Sequence, residues 1–525
     1  MYMIEMSRCK RVILALISGL LVSASFPFYL AGFSAPDMGW IAWFALVPLF
    51  VAIRGLAPRK VFLLTFVAAF VWYGTSVFWV GNAMYVFGGL SLSISSLITL
   101  LLVLVVTLHI SLAPAIAAFI SQRWRGEPIL LLPLVWVAME LFRNYFPCGG
   151  FPWSTMAMSQ WKYLPLIQIA DIVGAYGVIF LVVFINASIA EAIFFLCKKN
   201  VSHPLFKLSI SILIIAGVLS YGYFRMGRID SISESSEIYP IALIQGNISQ
   251  DEKWDSGKAQ KNLDAYRQEA AKLLHGQVQL IVWPEASFPW YLKGDSKELP
   301  PSNFGIPEGF IGKAPFTLFG AILSEENDIY RNSAVLVDSG GKVESVYHKV
   351  HMVPFGEYVP YEKLFFFLRR IALPTGNFIP GEDIHPMSAG GVRFTPLICY
   401  EDIFPELARS STLQGGEFIA NITNNAWFGR TAAPFQHLAL SIFRAVENRR
   451  YMLRSTNTGV SAVVDPVGRV LVRSELFEPA TIVSSLKRMD LISSYTKNGD
   501  WFALGCALYT LIGMFFGLAA KYRRG

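Results

Sequence analysis

Cys399 is the only cysteine between residues 225 and 500, and it ends the apolar run Val392-Arg-Phe-Thr-Pro-Leu-Ile-Cys-Tyr-Glu. Such a run reads as a buried strand, so the thiol stands where the strand breaks and the chain turns. That is where α/β folds present a nucleophile. Two polar signals precede it on segments of similar build. Leu280-Ile-Val-Trp-Pro-Glu-Ala puts Glu285 just past a strand, with Pro284 ending the ladder. Tyr347-His-Lys-Val-His-Met-Val-Pro-Phe-Gly-Glu puts Lys349 after a hairpin and Glu357 in the loop beyond it. A thiol attacks a carbonyl as the thiolate and needs a base; a carboxylate supplies one, and a fixed cation holds the oxyanion. Alone, each of these residues is as readily a core thiol or a solvated strand end. Their joint order makes Glu285, Lys349 and Cys399 a candidate catalytic set.

The elements around this set divide the chain. Over 525 residues, 54% are hydrophobic and the mean hydropathy is +0.46, too apolar for a soluble globular protein. No Asp, Glu, Lys or Arg occurs from Val61 to Gln122, long enough for two spans of about 20 residues each. Further apolar runs lie at Val12–Phe33, Met38–Ile53, Pro128–Phe142, Leu164–Cys197, Leu208–Phe224 and Trp501–Ala520. The pattern predicts eight spans, seven before residue 225 and one after 500. The first run is too long for a secretory signal and is expected to stay as a helix.

Basic residues gather at alternate ends: Arg8, Lys10 and Arg11; Arg54, Arg59 and Lys60; Arg123 and Arg125; Lys198, Lys199 and Lys207; Lys521, Arg523 and Arg524. The opposite short loops hold Arg143 and Lys162. By the positive-inside rule both termini are cytoplasmic and residues 225–500 lie outside. The domains expected are 1–224 with seven spans, 225–500 as an exported domain, and 501–525 as the eighth span and tail. The outer segment holds 28 basic and 31 acidic residues, so the net charge of +7 belongs to the loops. No nucleic-acid partner is implied. Among the five cysteines there is no metal-type spacing.

In the outer segment, Ile241–Ile244, Leu280–Trp283, Phe316–Leu323, Ser333–Asp338, Lys342–Tyr347, Arg393–Ile398, Phe418–Thr423, Ser461–Val464 and Arg469–Arg473 read as strands. Helices are expected at Gly257–Leu274, Pro405–Gln414 and His437–Arg450. This alternation predicts mixed sheets covered by helices.

The order Glu…Lys…Cys, set in Trp-Pro-Glu, Tyr-x-Lys-x-x-x-Val-Pro-Phe-Gly-Glu and Ile-Cys-Tyr-Glu, resembles the nitrilase, or carbon–nitrogen hydrolase, superfamily. Further motifs resemble its membrane-bound branch, the apolipoprotein N-acyltransferases. They are Gln245-Gly-Asn-Ile with Trp254-Asp, Asn424-Asn-Ala-Trp-Phe-Gly, Arg444-Ala-Val-Glu-Asn-Arg-Arg, Ser455-Thr-Asn-Thr-Gly, Trp136-Val-Ala-Met-Glu-Leu-Phe-Arg and Gly150-Phe-Pro-Trp. The resemblance spans nearly the whole chain and implies a four-layer α-β-β-α sandwich carried by a polytopic helical membrane domain. It also implies acyl transfer from a phospholipid donor, through a thioester on Cys399, to a diacylglyceryl apolipoprotein acceptor. Glu285 would serve as base and Lys349 as oxyanion holder, with no metal or organic cofactor. The implied setting is the periplasmic face of a bacterial inner membrane.

Supporting roles are expected for Glu357, which can orient Lys349, for Tyr400 and Glu401 beside the thiol, and for Trp254 against an acyl chain. Glu140 and Glu191 lie near span ends and Asp171 early in its span, so interfacial or helix-pairing roles are expected. The segment Tyr361-Glu-Lys-Leu-Phe-Phe-Phe-Leu-Arg-Arg-Ile reads as an amphipathic lid or a core helix. Three other readings stay open: a membrane-tethered amidase, a transporter with an outer ligand-binding domain, and an anchored interaction module. The charge-free 61–122 stretch argues against the transporter, and the interaction module leaves the three polar residues without a purpose.

Overall fold

The strand Ile238–Gln245 buries both of its faces: Ile241 and Leu243 join one apolar core, Ala242 and Ile244 another. Side chains alternate along a strand, so this strand needs a second sheet on one side and helices on the other. Both are present. The computed structural model describes all residues except 1–5, 31–32, 35–36, 124–127, 199–203, 275–277, 327–328, 362–376 and 523–525.

The first sheet runs in the order Ala480–Lys487, Ile238–Gln245, Leu280–Val282, Phe316–Glu325, Ile329–Val337, Val343–His348, with Leu292–Lys293 and Asn377–Phe378 attached at its side. The second runs Met387–Ala389, Val392–Ile398, Phe418–Thr423, Tyr451–Thr456, Ala462–Val464, Val470–Arg473. Between them lie Tyr239, Leu280, Phe394, Ile398, Phe418 and Leu453. Helix Ala259–Ala271 covers the first sheet through Leu263, Tyr266 and Ala270. Helices Pro405–Leu413 and Ala433–Asn448 cover the second through Leu407, Ala408, Leu438 and Ile442. The expected four-layer sandwich is therefore present.

Each sheet has a parallel centre. Val392–Ile398, Phe418–Thr423 and Tyr451–Thr456 run parallel in one, and Ile238–Gln245, Leu280–Val282 and Phe316–Glu325 in the other. Of the strands absent from the sequence reading, two are long. Tyr451–Thr456 is central and wholly buried, with Arg454 inside it. Ala480–Lys487 is an edge strand paired along its length with Ile238–Gln245.

The helices covering the second sheet share one continuous core with the apolar helices, including Trp72, Trp136 and Val182. Among the described residues, Leu92–Arg123, Ala175–Phe194, Ser209–Ser235 and Trp501–Ala520 are long and apolar enough to cross a membrane. Pro58–Ser76 with Trp79–Val86, bent by 43°, makes a fifth if taken as one span. This count gives four or five in place of the expected eight. Arg8–Ala24 has 17 residues and Pro128–Arg143 has 16, and Gly39–Ile53 is also short. Composition shows that these segments are apolar, whereas turns and breaks decide how far each helix runs. The helix Pro204–Ser235 also carries on past the expected boundary at residue 224.

One buried ion-pair cluster fixes the helices to the sandwich, and a second buried pair braces the end of a helix against its own loop. Asp171 accepts from Tyr221 and Arg225, both at 2.6 Å, and from Arg449 Nε at 3.0 Å. Glu140 holds Arg143 at 3.0 Å, and Arg143 Nη1 donates to the Trp153 carbonyl at 2.7 Å. The helix-pairing role expected of Asp171 fits this geometry, whereas Glu140 pairs within its own helix.

Candidate active site

Glu285, Lys349 and Cys399 stand just past the C-terminal ends of Leu280–Val282, Val343–His348 and Val392–Ile398. The first two strands belong to one sheet and the third to the other, so facing the sheets brings the three side chains together. At Glu285 the chain leaves the strand in a tight turn, with Ala286 at φ 47°. This turn lies on Gly320, where a Cβ would come within 2.6 Å of the Glu285 Cα. Only glycine allows that approach. Cys399 itself has φ 53°, a left-handed conformation uncommon for a side-chain-bearing residue and frequent where a strand hands a nucleophile to a turn.

The Glu285 carboxylate is 7% exposed. Oε1 accepts from Asn332 Nδ2 at 2.7 Å and lies 3.6 Å from Lys349 Nζ; Oε2 accepts from the Asn424 N–H at 2.9 Å. Lys349 is 2% exposed and donates to Glu357 Oε1 at 2.9 Å. Glu357 also accepts from Asn332 Nδ2 at 3.1 Å and from the Val353 N–H at 2.7 Å. Burial by itself would push the Lys349 ammonium down. Glu357, then Glu285 and Cys399, outweigh it and hold the group well above its ordinary value. Lys349 is thus a permanent cation.

The Cys399 thiol is partly exposed. Burial first, and then the Glu285 carboxylate, push it up to about 12 against the pull of Lys349. At neutral pH it is a thiol, so attack on a carbonyl requires the proton to leave as the new bond forms.

Glu401 is fully buried. One oxygen accepts from the N–H groups of Val350 at 2.7 Å and His351 at 3.1 Å, just past Lys349; the other accepts from the Ile398 N–H at 2.7 Å, just before Cys399. Tyr347 donates to both oxygens at 3.1 Å. Glu401 therefore ties the lysine's loop to the thiol's turn across the two sheets. Tyr400 donates to the Gly150 carbonyl at 3.2 Å, joining that turn to the Phe146–Trp153 loop. Trp254 is 53% exposed, so it is no core tryptophan. The lid segment after Tyr361 lies outside the described residues.

Several residues at this site are absent from the sequence reading. Asn332 bridges the two carboxylates, yet an amide within a strand carries no distinguishing pattern. Lys253 is buried and donates to the Glu285 carbonyl at 2.8 Å. Beneath the thiol's turn, Asp402 is held by Arg454, by His437 Nε2 at 2.7 Å and by Ser441 at 2.6 Å. For Lys253, Asp402, His437 and Arg454 the signal was the motifs themselves, since each lies in or beside a quoted run.

A carboxylate, a lysine and a cysteine meeting at the strand ends of a four-layer sandwich define a carbon–nitrogen hydrolase domain. Residues 240–494 match the carbon–nitrogen hydrolase family, and residues 18–188 match the apolipoprotein N-acyltransferase N-terminal domain. The chain is 34% identical over 509 residues to an apolipoprotein N-acyltransferase of Geobacter metallireducens, covering 94% of this chain and 92% of the relative. It is 30% identical to one of Methylococcus capsulatus, covering 98% and 97%. An amidase from Nesterenkonia sp. AN1 aligns with 50% of this chain and 96% of its own at 23% identity, with a TM-score of 0.35. The chain belongs to the apolipoprotein N-acyltransferase family.

Proposed function

We propose that this protein moves a fatty acyl group from a membrane phospholipid, through a thioester on Cys399, to the α-amino group of the N-terminal diacylglyceryl-cysteine of an apolipoprotein. The observation that carries the reading is the approach of the Glu285 carboxylate to Lys349 Nζ, 3.6 Å apart, at the turn that presents Cys399.

In the first step Glu285 takes the thiol proton as Cys399 Sγ attacks the ester carbonyl, and Lys349 holds the oxyanion. The C–O bond breaks, and the proton passes to the departing lysophospholipid oxygen. In the second step the acceptor amine attacks the thioester carbonyl and gives its proton to Glu285. The C–S bond then breaks, and the sulfur regains the proton. Glu357 keeps Lys349 in place, while Tyr400 and Glu401 shape the turn. Trp254, exposed beside the site, offers an apolar face to the acyl chain. Both substrates are lipid-anchored, which suits a domain (225–500) hung on the outer side of a bacterial inner membrane between the helices of 1–224 and 501–525, with both termini cytoplasmic.

The test is transfer itself. The purified protein, given phospholipid and a synthetic peptide with a free diacylglyceryl-cysteine N-terminus, should yield an N-acylated peptide. Release of free fatty acid or of ammonia from amides, with no acylated peptide, would instead make it a hydrolase.

A further inference from the structure

A second buried lysine stands at this site. Lys253 ends the one-turn helix Gln250–Lys253 and is 6% exposed. Its Nζ donates to the main-chain carbonyl of Glu285 at 2.8 Å, and among the described residues it forms no ion pair. A buried ammonium is costly unless nearby charge compensates it. The charge that compensates it is the Glu285 carboxylate. On its own turn, Glu252 points outward to Lys258 at 2.9 Å and Lys261 at 3.4 Å. From helix Ala259–Ala271, Asn262 donates to the Glu252 carbonyl at 2.8 Å.

The same turn grips Glu285 a second way. Gln250 Oε1 accepts from Asn424 Nδ2 at 3.0 Å, and the Asn424 N–H donates to Glu285 Oε2. Residues 250–253 thus hold the main chain of Glu285 directly and its carboxylate through one intermediary. We propose that Lys253 is a positioning residue for acyl transfer: its hydrogen bond fixes the turn that carries Glu285, and its charge steadies the carboxylate facing the Cys399 thiol. The inference rests on the acyl-transfer reading above.

Burial pushes Lys253 down to about 8, with the Glu285 carboxylate holding it from falling further. Lys349 stays charged far above that and the thiol titrates near 12. Of these three groups, only Lys253 changes charge in mildly alkaline solution.

The experiment is the initial rate of acyl adduct formation on Cys399 in the full-length protein, in phosphatidylethanolamine–phosphatidylglycerol vesicles, from about pH 6 to about pH 10. In the wild type the rate should fall as Lys253 loses its proton near pH 8. Lys253→Arg should keep the neutral rate within a few-fold and abolish the alkaline fall, because the guanidinium stays charged. Lys253→Met should lose about tenfold or more at neutral pH and show no alkaline fall. A wild-type pH profile in Lys253→Arg overturns the inference, even if Lys253→Met proves too unstable to assay. So does a wild-type rate in a stable Lys253→Met. If the wild type forms no adduct at all, the acyl-transfer reading fails and takes this inference with it; an adduct with unchanged variants defeats the inference alone.

Discussion

Asn332 Nδ2 lies 2.7 Å from Glu285 Oε1, and the same nitrogen reaches Glu357 Oε1 at 3.1 Å. One amide therefore bridges two carboxylates that both face Lys349, and it shares Glu285 Oε1 with the lysine. Replacing Asn332 by Leu removes a donor from a buried carboxylate, a loss of about 1–3 kcal/mol. Acylation of Cys399 should slow about 10- to 100-fold in a protein that still inserts and folds. Rates of adduct formation in membranes check this, and an unchanged rate would mean that Lys349 and the Asn424 N–H set the Glu285 geometry without Asn332.

The raised thiol has a readable consequence. Without substrate, iodoacetamide should modify Cys399 slowly at neutral pH, with the rate climbing from about pH 9 toward about pH 12. The same shift acts on stability. The folded value lies above the unfolded one of about 9, so its contribution is intact below pH 9 and is lost as pH rises toward 12. Fast alkylation at pH 7 would show a preformed thiolate and remove the need for Glu285 in the first proton transfer.

Asp171 and Arg449 form the buried rivet between the helices and the sandwich, at 1% and 0% exposure. Asp171→Asn leaves Arg225 and Arg449 without their counter-charge. The cost should be about 3–5 kcal/mol, seen as a lower unfolding temperature in detergent. Arg449→Met with Asp171→Leu removes both charges of that pair and should recover much of the loss. Equal destabilisation by the single and the double variant would rule out the charge as the cause.

Orientation gives a separate check. Thiol labelling of single-cysteine variants near residues 58, 124 and 202 should require permeabilised cells, whereas a site near 300 should label from the periplasm. Cytoplasmic labelling near 300 would overturn the compartment and the substrates together.

The strand-end logic made Glu285, Lys349 and Cys399 legible, because an apolar run followed by one polar residue survives in the one-dimensional pattern. The bridging groups did not survive it. Asn332 sits in Ile329-Tyr-Arg-Asn-Ser-Ala, which carries no mark of a site, and its partners lie 47 and 25 residues away. The central strand Tyr451–Thr456 follows two arginines and contains a third, so its charge hides its burial. Arg454 is buried only because Asp402 waits across the second sheet. The span count differs from the four or five long helices for a related reason: composition reports which residues avoid water, and helix length depends on breaks such as the bend between Ser76 and Trp79.

The central claim is a covalent acyl group on Cys399. Wild-type protein, Cys399→Ser and Glu285→Gln would each be incubated with phospholipid vesicles without acceptor, and their intact masses and Cys399 peptides measured. The account predicts one fatty acyl adduct on the wild-type Cys399 peptide, none on Cys399→Ser, and none within the same time on Glu285→Gln. A wild type that never gains the mass, or a Cys399→Ser variant that gains it at the wild-type rate, would contradict it.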